Sequence, residues 1–414
     1  RRQDESIAES LESWVFDADA GASSADDDDF EDPSDDEPLV RNPWLPADPS
    51  ELKEFCKEAI DIQAAGLAER LTRSHSQRFV IGVSGGSDST LALLASTKAL
   101  EKLGKGPENI IAVTMPGFGS STRTRTNADI ISETLGCTHY DISIVPAVEQ
   151  HFRDIGQDPG NYDACYENSQ ARERTQILMD LANMHSGLVV GTGDMSELAL
   201  GWCTYNGDHM SMYCANGGLT KTAVRACIAY AKDEILAGNW PLPDIKTAEK
   251  IENTRGMGAD AADQLDASLE KGARAELAKA LQDILDTPIS PELLPTDENG
   301  QIAQVTEDKI GPYELHDFYL YHFMSGKAPS EILDAAEEVF CKPAGGDTTG
   351  SDFVYDRETV KKWLRTFIWR FFSQQFKRSC MPEGPQILKY SLSPRGGLIF
   401  PSDSDPGAFL EELE

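Results

Sequence analysis

The chain has 414 residues, of which 40% are hydrophobic, so it can form one large domain or two ordinary ones with a sizeable core. Its net charge of -33 argues against a broad nucleic-acid-binding surface, because phosphate binding requires clustered lysine and arginine. No apolar run reaches the roughly 18 residues of a transmembrane helix, and the N-terminus has no signal-peptide core. We therefore expect a cytoplasmic protein that binds neither nucleic acid nor a membrane.

The eight cysteines are irregularly spaced, and no two of them form a Cys-x-x-Cys pair. This pattern favours reduced thiols over a disulfide framework or a zinc site. Reduced thiols agree with a cytoplasmic location.

The start of the chain differs in composition from the rest. Between Arg1 and Pro38 there are 15 acidic and two basic residues, including the run Asp26-Asp27-Asp28-Asp29. Such a segment cannot bury enough apolar surface to fold, so residues 1–41 are predicted to be a disordered linker or tail. Folded structure is expected over residues 42–402, followed by an acidic tail at residues 403–414.

The first predicted elements are a helix and a strand. Asp48 can cap the helix, Pro49 suits its first position, and Glu51 completes a capping-box pattern. Residues 79–83 then form a short apolar and β-branched run. Such a run is typical of a parallel strand that is covered on both faces.

A glycine turn and a helix start follow this strand directly. Gly85 and Gly86 can adopt positive φ and let a ligand approach the backbone, while Ser87, Asp88 and Ser89 suit a helix cap and first turn. Strand, turn and helix N-terminus together form an anion site. No Gly-Lys-Ser/Thr follows at the spacing of a Walker A loop. The turn is therefore either another kind of phosphate loop or an ordinary glycine turn with a helix cap.

Strands and helices alternate beyond this turn. Strands are predicted at residues 110–114, 139–144 and 188–190, and helices at residues 127–135 and 167–184. This alternation predicts an α/β fold, a doubly wound parallel sheet flanked by helices. Because ligands bind beyond the carboxyl ends of such strands, the loops at Ser84, Pro116 and Thr192 are expected to converge on one site.

The C-terminal part is predicted to be helical. Residues 221–285 read as largely helical, with an Ala-rich helix at 271–285 that we expect to be exposed. Residues 358–376 form an amphipathic helix whose apolar face carries Val360, Trp363, Leu364, Phe367 and Phe371. We therefore expect a core at about residues 75–235, followed by a helical insertion and C-terminal part at residues 236–402.

These residues resemble the NAD synthetase family, within the N-type ATP pyrophosphatases, over about residues 42–402. The Ser-Gly-Gly-x-Asp-Ser pattern that starts at Ser84 resembles the pyrophosphate loop of these enzymes. The other matching motifs are Met115-Pro116-Gly117-Phe118, Glu167-Asn168-x-Gln170-Ala171-Arg172, Gly191-Thr192-Gly193-Asp194-Met195-Ser196-Glu197-Leu198-Ala199-Leu200-Gly201-Trp202, Asn206-Gly207-Asp208, Lys221-Thr222, Ser290-Pro291-Glu292-Leu293, Gly311-Pro312-Tyr313-Glu314-Leu315-His316-Asp317-Phe318, Gln375-Phe376-Lys377-Arg378-Ser379 and Leu392-Ser393-Pro394-Arg395-Gly396. The last three resemble the synthetase domain of the glutamine-dependent class.

The resemblance implies a ligase that amidates nicotinate adenine dinucleotide (deamido-NAD) to NAD in NAD biosynthesis. A carboxylate is a poor electrophile, so the family first joins it to the α-phosphate of ATP and releases pyrophosphate. Ammonia then attacks the acyl-adenylate and releases AMP. ATP is thus a co-substrate, and Mg²⁺ is the implied cofactor, because this ion prefers a few carboxylates together with phosphate oxygens.

The resemblance also implies the roles of individual residues. It assigns ATP binding to Gly82, Val83, Ser84, Gly85, Gly86, Ser87, Asp88, Ser89, Thr192, Lys221 and Thr296, deamido-NAD binding to Asn168, Glu197, Trp202, Asp208 and Lys377, Mg²⁺ binding to Asp88 and Glu197, and catalysis to Asp88, Glu197 and Lys221. Taken alone, Glu197 would be an ordinary surface residue, Trp202 a core residue, and Lys377 a cation favoured by a helix dipole. Only the motifs around these residues favour substrate roles. Arg123 and Arg125 are weaker candidates for covering phosphates.

The nitrogen source is a departure from the family pattern. Glutamine-dependent members carry an N-terminal amidohydrolase domain with a Glu-Lys-Cys triad, whereas only residues 1–41, without cysteine, precede the similar region here. We expect this chain to use ammonia, either free or supplied by glutamine hydrolysis in a domain or subunit outside the sequence. Family members form homodimers, so a homodimer or higher homo-oligomer is expected.

Two alternatives remain open at the level of the sequence. Another ATP pyrophosphatase, such as a GMP synthetase or a tRNA-thiolating enzyme, would share the loop, but the missing Cys-x-x-Cys and the acidic charge argue against tRNA modification. The motifs outside the loop argue against GMP synthesis. A nucleotide-binding regulator without catalysis is the second alternative, against which the intact Asp88, Thr192, Glu197 and Lys377 speak.

Overall fold

The computed structural model describes residues 39–120, 122–243, 259–290, 293–294, 306–341 and 354–414. The predicted disordered segment lies almost entirely outside these residues, and so does Thr296. Residues from Val40 to Glu414 belong to one compact unit. None of the helices among the described residues combines the length and the apolar character that a membrane span requires.

Five strands and fourteen α-helices are found in the described residues. The strands are β1 (Arg78–Gly82), β2 (Ile110–Thr114), β3 (Thr138–Asp141), β4 (Gly187–Gly191) and β5 (Tyr213–Cys214). The helices are α1 (Pro49–Arg73), α2 (Ser87–Lys102), α3 (Thr122–Thr134), α4 (Val145–Ile155), α5 (Ala164–Met184), α6 (Met195–Leu200), α7 (Lys221–Leu236), α8 (Ala259–Asp286), α9 (Thr306–Ile310), α10 (Tyr313–Met324), α11 (Pro329–Phe340), α12 (Arg357–Ser373), α13 (Gln375–Arg378) and α14 (Gly407–Glu411).

The strands form one parallel sheet in the order β3-β2-β1-β4-β5. The chain moves outward from β1 to β3 and then returns to place β4 on the other side of β1. This reversal is a topological switch point, and ligands in open parallel sheets bind at such points, beyond the carboxyl ends of the strands. The predicted fold class is confirmed.

Helices cover both faces of the sheet, as the apolar strands require. Phe79 and Ile81 of β1 face a large core with α1, α2 and α7, whereas Val80 faces a smaller core with α4 and α5. All three side chains are fully buried. The alternation of side chains along a strand thus distributes one short apolar run over two cores.

The predicted start of α1 is confirmed. The Asp48 carboxylate accepts hydrogen bonds from the backbone N–H groups of Ser50 (2.8 Å) and Glu51 (3.1 Å), and Pro49 is the first helical residue. The cap therefore satisfies two of the four backbone donors that every helix start leaves open.

Several predicted boundaries were wrong. Helix α5 begins at Ala164 rather than at residue 167, and helix α12 ends at Ser373 rather than at residue 376. Helix α3 begins at Thr122 rather than at residue 127, because the polar start of this helix carries no apolar period. Strand β3 ends at Asp141 rather than at residue 144. Ile142 and Ile144 still donate backbone hydrogen bonds to Thr114 and Pro116, so the chain stays attached to the sheet without continuing the strand.

The expectation that residues 271–285 are exposed was also wrong. Leu277, Leu281 and Ile284 of α8 are buried and lie at positions i, i+4 and i+7, which places them on one face of the helix. This face packs against α3 and α7. The apolar stripe was missed because alanines between these three residues make the helical pattern weak in the sequence.

Helices α10, α11 and α12 pack together into the predicted C-terminal helical part. The predicted apolar face of α12 is buried: Val360, Trp363, Leu364, Phe367 and Phe371 all lie in the large core. Helix α14 packs on α12, and Leu413 is buried, so the acidic residues 403–414 contact the core. The eight cysteines are free.

A pH-dependent stability is expected from His322 in α10. Its ring packs 4.3 Å from that of Phe318, and neither ring nitrogen has a hydrogen-bond partner among the described residues. Burial, aided by Lys327, lowers the pKa of His322 from 6.5 to about 4. Between these two pH values His322 binds a proton in the unfolded chain but not in the folded chain. The folded state therefore loses stability as the pH falls from 6.5 towards 4.

We expect His322→Leu to remove this loss, which amounts to at most about 1.4 kcal/mol per pH unit. Urea unfolding at several pH values between about 4 and 7 measures the slope. The variant should gain stability over wild type increasingly on acidification. His151→Gln, at an exposed position of α4, is the control and should keep the wild-type slope. A pH-independent difference between His322→Leu and wild type would contradict the prediction.

Candidate active site

A cavity of about 470 Å³ opens at the carboxyl ends of β1, β2 and β4. Such a volume is typical of a ligand site. The loops that begin at Ser84, Met115 and Thr192 line it together, as their positions after the strands predicted. Helices α5, α6, α8 and α12 supply the remaining walls.

The loop after β1 approaches α3 so closely that Gly85 cannot carry a side chain. Gly85 has φ +80, and a Cβ atom there would lie 2.1 Å from the carbonyl oxygen of Thr124. Gly86 has φ -93, so the expected positive φ holds for Gly85 only. Hydrogen bonds from Gly86 N–H to Ser84 Oγ (3.2 Å) and from Ser84 N–H to Ser89 Oγ (3.2 Å) close the turn.

Helix α2 begins at this turn without a side-chain cap. Its residues Ser87, Asp88 and Ser89 line the cavity. The open N–H groups and the positive end of the helix dipole therefore act at the cavity wall, where they favour an anion.

A buried lysine lies behind this wall and contacts three carboxylates. Lys221 Nζ lies 2.6 Å from Asp88 Oδ2, 2.8 Å from Asp194 Oδ2 and 3.0 Å from Glu197 Oε1. The side chains of Lys221 and Asp194 have no exposed surface, whereas Asp88 and Glu197 are 22% and 19% exposed and line the cavity. We call these four residues the ion cluster.

The ion cluster places three carboxyl groups against one ammonium group. Burial raises the pKa of Asp194 to about 7 and that of Glu197 well above its usual value, although Lys221 opposes both shifts. Burial alone would lower the pKa of Lys221, but the three carboxylates raise it well above its usual value. A further cation beside Glu197 would therefore stabilise its charged form.

The ion cluster is the only group of potential metal ligands among the described residues. The ligand oxygens of Asp88, Asp194 and Glu197 all lie within 4.8 Å of one another. Mg²⁺ prefers such hard oxygen donors and keeps places for phosphate oxygens and water. The residues present thus fit the implied cation, with Asp88 and Glu197 on the accessible side.

Hydrogen bonds made by Asp194 and Asn216 hold the ion cluster in place. Asp194 caps α6 by accepting a hydrogen bond from Glu197 N–H (2.8 Å). Asn216 donates to the carbonyl oxygens of Asp88 and Thr192, each at 2.8 Å. One amide side chain therefore holds together the start of α2, the loop after β4 and the segment before α7.

Asp317 of α10 joins the starts of α6 and α7. Its carboxylate accepts hydrogen bonds from the Ser196 hydroxyl and from the N–H (3.1 Å) and hydroxyl (2.7 Å) of Thr222. Ser196 Oγ in turn accepts the backbone N–H of Lys221 (2.8 Å). The C-terminal helices thus set the distance between Glu197 and Lys221. Burial raises the pKa of Asp317 to about 6, against these hydrogen bonds.

The far end of the cavity is formed by the segment that follows α6. Thr204 donates its hydroxyl to Asn168 Oδ1 (2.7 Å) and its N–H to Asp208 Oδ1 (2.8 Å). Burial raises the pKa of Asp208. Trp202 and Lys377 line the same end. Polar, cationic and aromatic groups therefore meet here.

Three cations from α12 and α13 bind backbone carbonyls in the last turn of α6 and directly after it. Arg378 donates to Leu198 (3.1 Å) and Ala199 (2.9 Å), Arg370 to Leu200 (2.8 Å), and Lys377 to Gly201 (2.7 Å) and Cys203 (2.7 Å). Cations are favoured at a helix C-terminus because the dipole is negative there. They hold the end of α6, and with it Glu197 and Trp202.

The structure brings most of the predicted site residues to one cavity. Those that line it are Gly82, Val83, Ser84, Gly85, Gly86, Ser87, Asp88, Ser89, Asn168, Thr192, Glu197, Trp202, Asp208 and Lys377. Lys221 does not line it and lies one contact away, behind Asp88 and Glu197. Arg125 lines the cavity and pairs with Asp141. Thr296 and the side chain of Arg123 lie outside the described residues.

Sequence reasoning missed three residues of this site: Asp194, Asp317 and Arg370. Asp194 follows β4 directly and begins a helix, which is a signal for a cap beside a site. Arg370 lies three residues after Phe367 and seven after Trp363, so it is a cation on an apolar stripe. Asp317 lies in one of the matching motifs, but its role could not be inferred because its partners Ser196 and Thr222 lie far away in the sequence.

Comparison with known proteins identifies relatives along most of the chain. The family model described as NAD synthase matches residues 60–238. A glutamine-dependent NAD(+) synthetase of Mycobacterium leprae is 36% identical over 389 residues, which are 91% of this chain and 52% of that protein. An NH(3)-dependent NAD(+) synthetase of Pelodictyon phaeoclathratiforme is 31% identical over 206 residues, which are 50% of this chain and 72% of that protein.

A solved structure has the same fold. The crystal structure of a glutamine-dependent NAD(+) synthetase from Cytophaga hutchinsonii matches with a TM-score of 0.61 and 18% sequence identity. The match covers 87% of this chain and 56% of that chain. The chain thus spans about half the length of its glutamine-dependent relatives.

Asp317→Asn is expected to lower the free energy of unfolding by about 1–3 kcal/mol, because the amide group turns an N–H towards donors that now lack an acceptor. Chemical unfolding at pH 7 measures the change. Asp334→Asn, at an exposed position of α11, is the control and should stay within about 0.5 kcal/mol of wild type. Equal stability of the two variants would contradict the role of Asp317.

Proposed function

Since the chain belongs to the NAD synthase family, we propose that it is a ligase that amidates deamido-NAD to NAD with ATP through an acyl-adenylate, in NAD biosynthesis. The observation that carries the proposal is the single cavity between the loop after β1, the ion cluster and Trp202. A reaction between ATP and a carboxylate needs an anion site, charge neutralisation and a second substrate site within reach of one another.

The turn at Ser84–Ser89 and the start of α2 would receive the pyrophosphate end of ATP. Their N–H groups and the helix dipole stabilise the charge that accumulates on the leaving pyrophosphate. Asp88 and Glu197 would hold Mg²⁺, which would neutralise phosphate charge when bound. Thr192 lies beside them at the cavity wall, in reach of the nucleotide.

Lys221 acts in this proposal through its carboxylate partners. Its ammonium group fixes the orientation of Asp88 and Glu197 and partly offsets their repulsion. Direct contact between Lys221 and ATP stays a prediction. Such contact requires that the ammonium group leave at least one of its three carboxylates.

The proposed chemistry has two steps. A carboxylate oxygen of deamido-NAD attacks the α-phosphorus, the bond to the β-phosphate oxygen breaks, and pyrophosphate leaves. Neutral ammonia then attacks the acyl carbon, loses a proton, and AMP leaves with the former carboxylate oxygen. No side chain of the protein becomes a nucleophile. The work of the protein is therefore to bind, orient and neutralise charge.

Ammonia is the nitrogen that we propose reacts in this cavity, whichever donor supplies it. The relatives carry two names, glutamine-dependent and NH(3)-dependent. The family assignment disfavours a GMP synthetase or a tRNA-thiolating enzyme. A homo-oligomer and a cytoplasmic location stay predictions.

We expect purified residues 1–414 to convert deamido-NAD, ATP and ammonium to NAD, AMP and pyrophosphate. Activity at fixed total ammonium should rise between about pH 7 and 9, because only the deprotonated amine is a nucleophile. The assay measures NAD and AMP in parallel, with ammonium or glutamine as donor. ADP in place of AMP would contradict the mechanism, and nucleotide binding without any NAD would favour the inactive regulator.

Asp88→Asn provides the internal test of the ion cluster. The change keeps the shape but removes a charge beside the phosphates, so we expect at least a ~10²-fold loss of activity at saturating Mg²⁺ with folding nearly unchanged. Asp180→Asn, at an exposed position of α5, is the matched control and should keep wild-type activity. Wild-type turnover by Asp88→Asn would show that the proposed role of Asp88 is wrong.

A further inference from the structure

Two of the cations that bind the end of α6 and the residues directly after it also reach the cavity. Arg370 and Lys377 both line it, whereas Arg378 is fully buried behind them. Arg378 needs no further partner to explain its place, because it donates to Gln375 Oε1 (2.8 Å) and to three backbone carbonyls. Arg370 and Lys377, in contrast, lie where they can contact a ligand in the cavity.

Neither Arg370 nor Lys377 forms an ion pair with a described carboxylate. Arg370 donates its Nε–H to Leu200, which leaves its terminal N–H groups for another acceptor. Lys377 uses two donors on carbonyls and keeps a third. Asp208 also lines the cavity, where its carboxylate accepts the backbone N–H of Thr204. In a chain with a net charge of -33, two cations without a carboxylate partner are unexpected.

The surroundings make an anion at this place favourable. Burial lowers the pKa of both Arg370 and Lys377, so their charged forms are disfavoured unless an anion compensates them. The Arg370 Cζ atom lies 5.2 Å from the ring centre of Trp202. The indole face and the Leu200 carbonyl together fix the guanidinium plane, which can then meet an anion with two parallel hydrogen bonds.

We propose that Arg370 is a further residue of the dinucleotide site, where it binds an anionic group of the substrate beside Trp202 and Lys377, which the family resemblance already assigns to this site. This inference rests on the proposed function. Deamido-NAD carries two anionic groups that match a guanidinium, the nicotinate carboxylate and the diphosphate. NAD carries the same diphosphate but a neutral carboxamide, so a comparison of the two dinucleotides separates the sources.

The test is isothermal titration calorimetry of the full chain with deamido-NAD, NAD and ATP, each alone, for wild type and Arg370→Gln. We expect deamido-NAD to bind the variant at least about tenfold more weakly, as loss of a charge-assisted contact implies, and ATP to bind within about twofold of wild type. If the carboxylate is the partner, NAD binding stays unchanged. If the diphosphate is the partner, NAD binding weakens as much as deamido-NAD binding.

Arg365→Gln is the matched control. Arg365 lies on the same helix, α12, and donates one hydrogen bond to a backbone carbonyl, that of Leu410 (3.0 Å), but it does not line the cavity. All affinities of this variant should equal those of wild type. Failure of wild type to bind deamido-NAD would contradict the proposed function rather than the role of Arg370.

Two results would overturn the inference while the proposed function stands. One is unchanged deamido-NAD affinity in Arg370→Gln, and the other is a parallel loss for ATP and deamido-NAD, which would indicate a purely structural role. If Arg370→Gln fails to fold, Arg370→Lys replaces it, because it keeps the charge near Leu200 but loses the planar fork. Arg370→Lys should still weaken deamido-NAD selectively, by several fold, and an unchanged affinity would overturn the inference.

Discussion

The site depends on one buried lysine that contacts three carboxylates. Lys221 comes from the first position of α7, Asp88 from the start of α2, and Asp194 and Glu197 from the end of β4 and the start of α6. A buried charge without partners is costly, so these four side chains require one another. Their mutual contact therefore fixes how the N-terminal ends of three helices meet at the edge of the sheet.

Only one side of the ion cluster is accessible from the cavity. Lys221 and Asp194 form its closed, fully buried side, and Asp88 and Glu197 turn their remaining oxygens towards the cavity. The two carboxyl groups on the accessible side offer oxygen ligands to a cation, while the uncapped start of α2 beside them attracts an anion. A phosphate group with a bound metal ion supplies both the cation and the anion. This geometry therefore agrees with an ATP-dependent reaction.

The C-terminal helices are part of the site rather than an appendage to the sheet. Asp317 holds the starts of α6 and α7, and Arg370, Lys377 and Arg378 hold the carbonyls at the end of α6 and beyond. Helix α6 has only six residues and could not keep its position by local hydrogen bonds alone. Contacts at both of its ends make Glu197 and Trp202 fixed features of the cavity.

The sequence predicted the fold and the position of the site because these depend on local patterns. Apolar runs such as that at Phe79 identify strands, and the loops after parallel strands must meet at one edge. The contacts inside the site could not be predicted, because they join residues such as Asp88 and Lys221 that are 133 positions apart. Lys221 lies behind the carboxylates, and the terminal N–H groups of Arg370 bind no described residue. Both features depend on side-chain directions that only tertiary packing determines.

Carboxylate activation by ATP in this cavity is the central claim, and oxygen transfer tests it most directly. The measurement uses deamido-NAD with both carboxylate oxygens labelled as ¹⁸O, together with unlabelled ATP and ammonium, and determines the label in the products by mass spectrometry. The acyl-adenylate route predicts one ¹⁸O in the phosphate of AMP, one in the carboxamide of NAD, and none in pyrophosphate. Unlabelled AMP, or label in inorganic phosphate alongside ADP, would contradict the account.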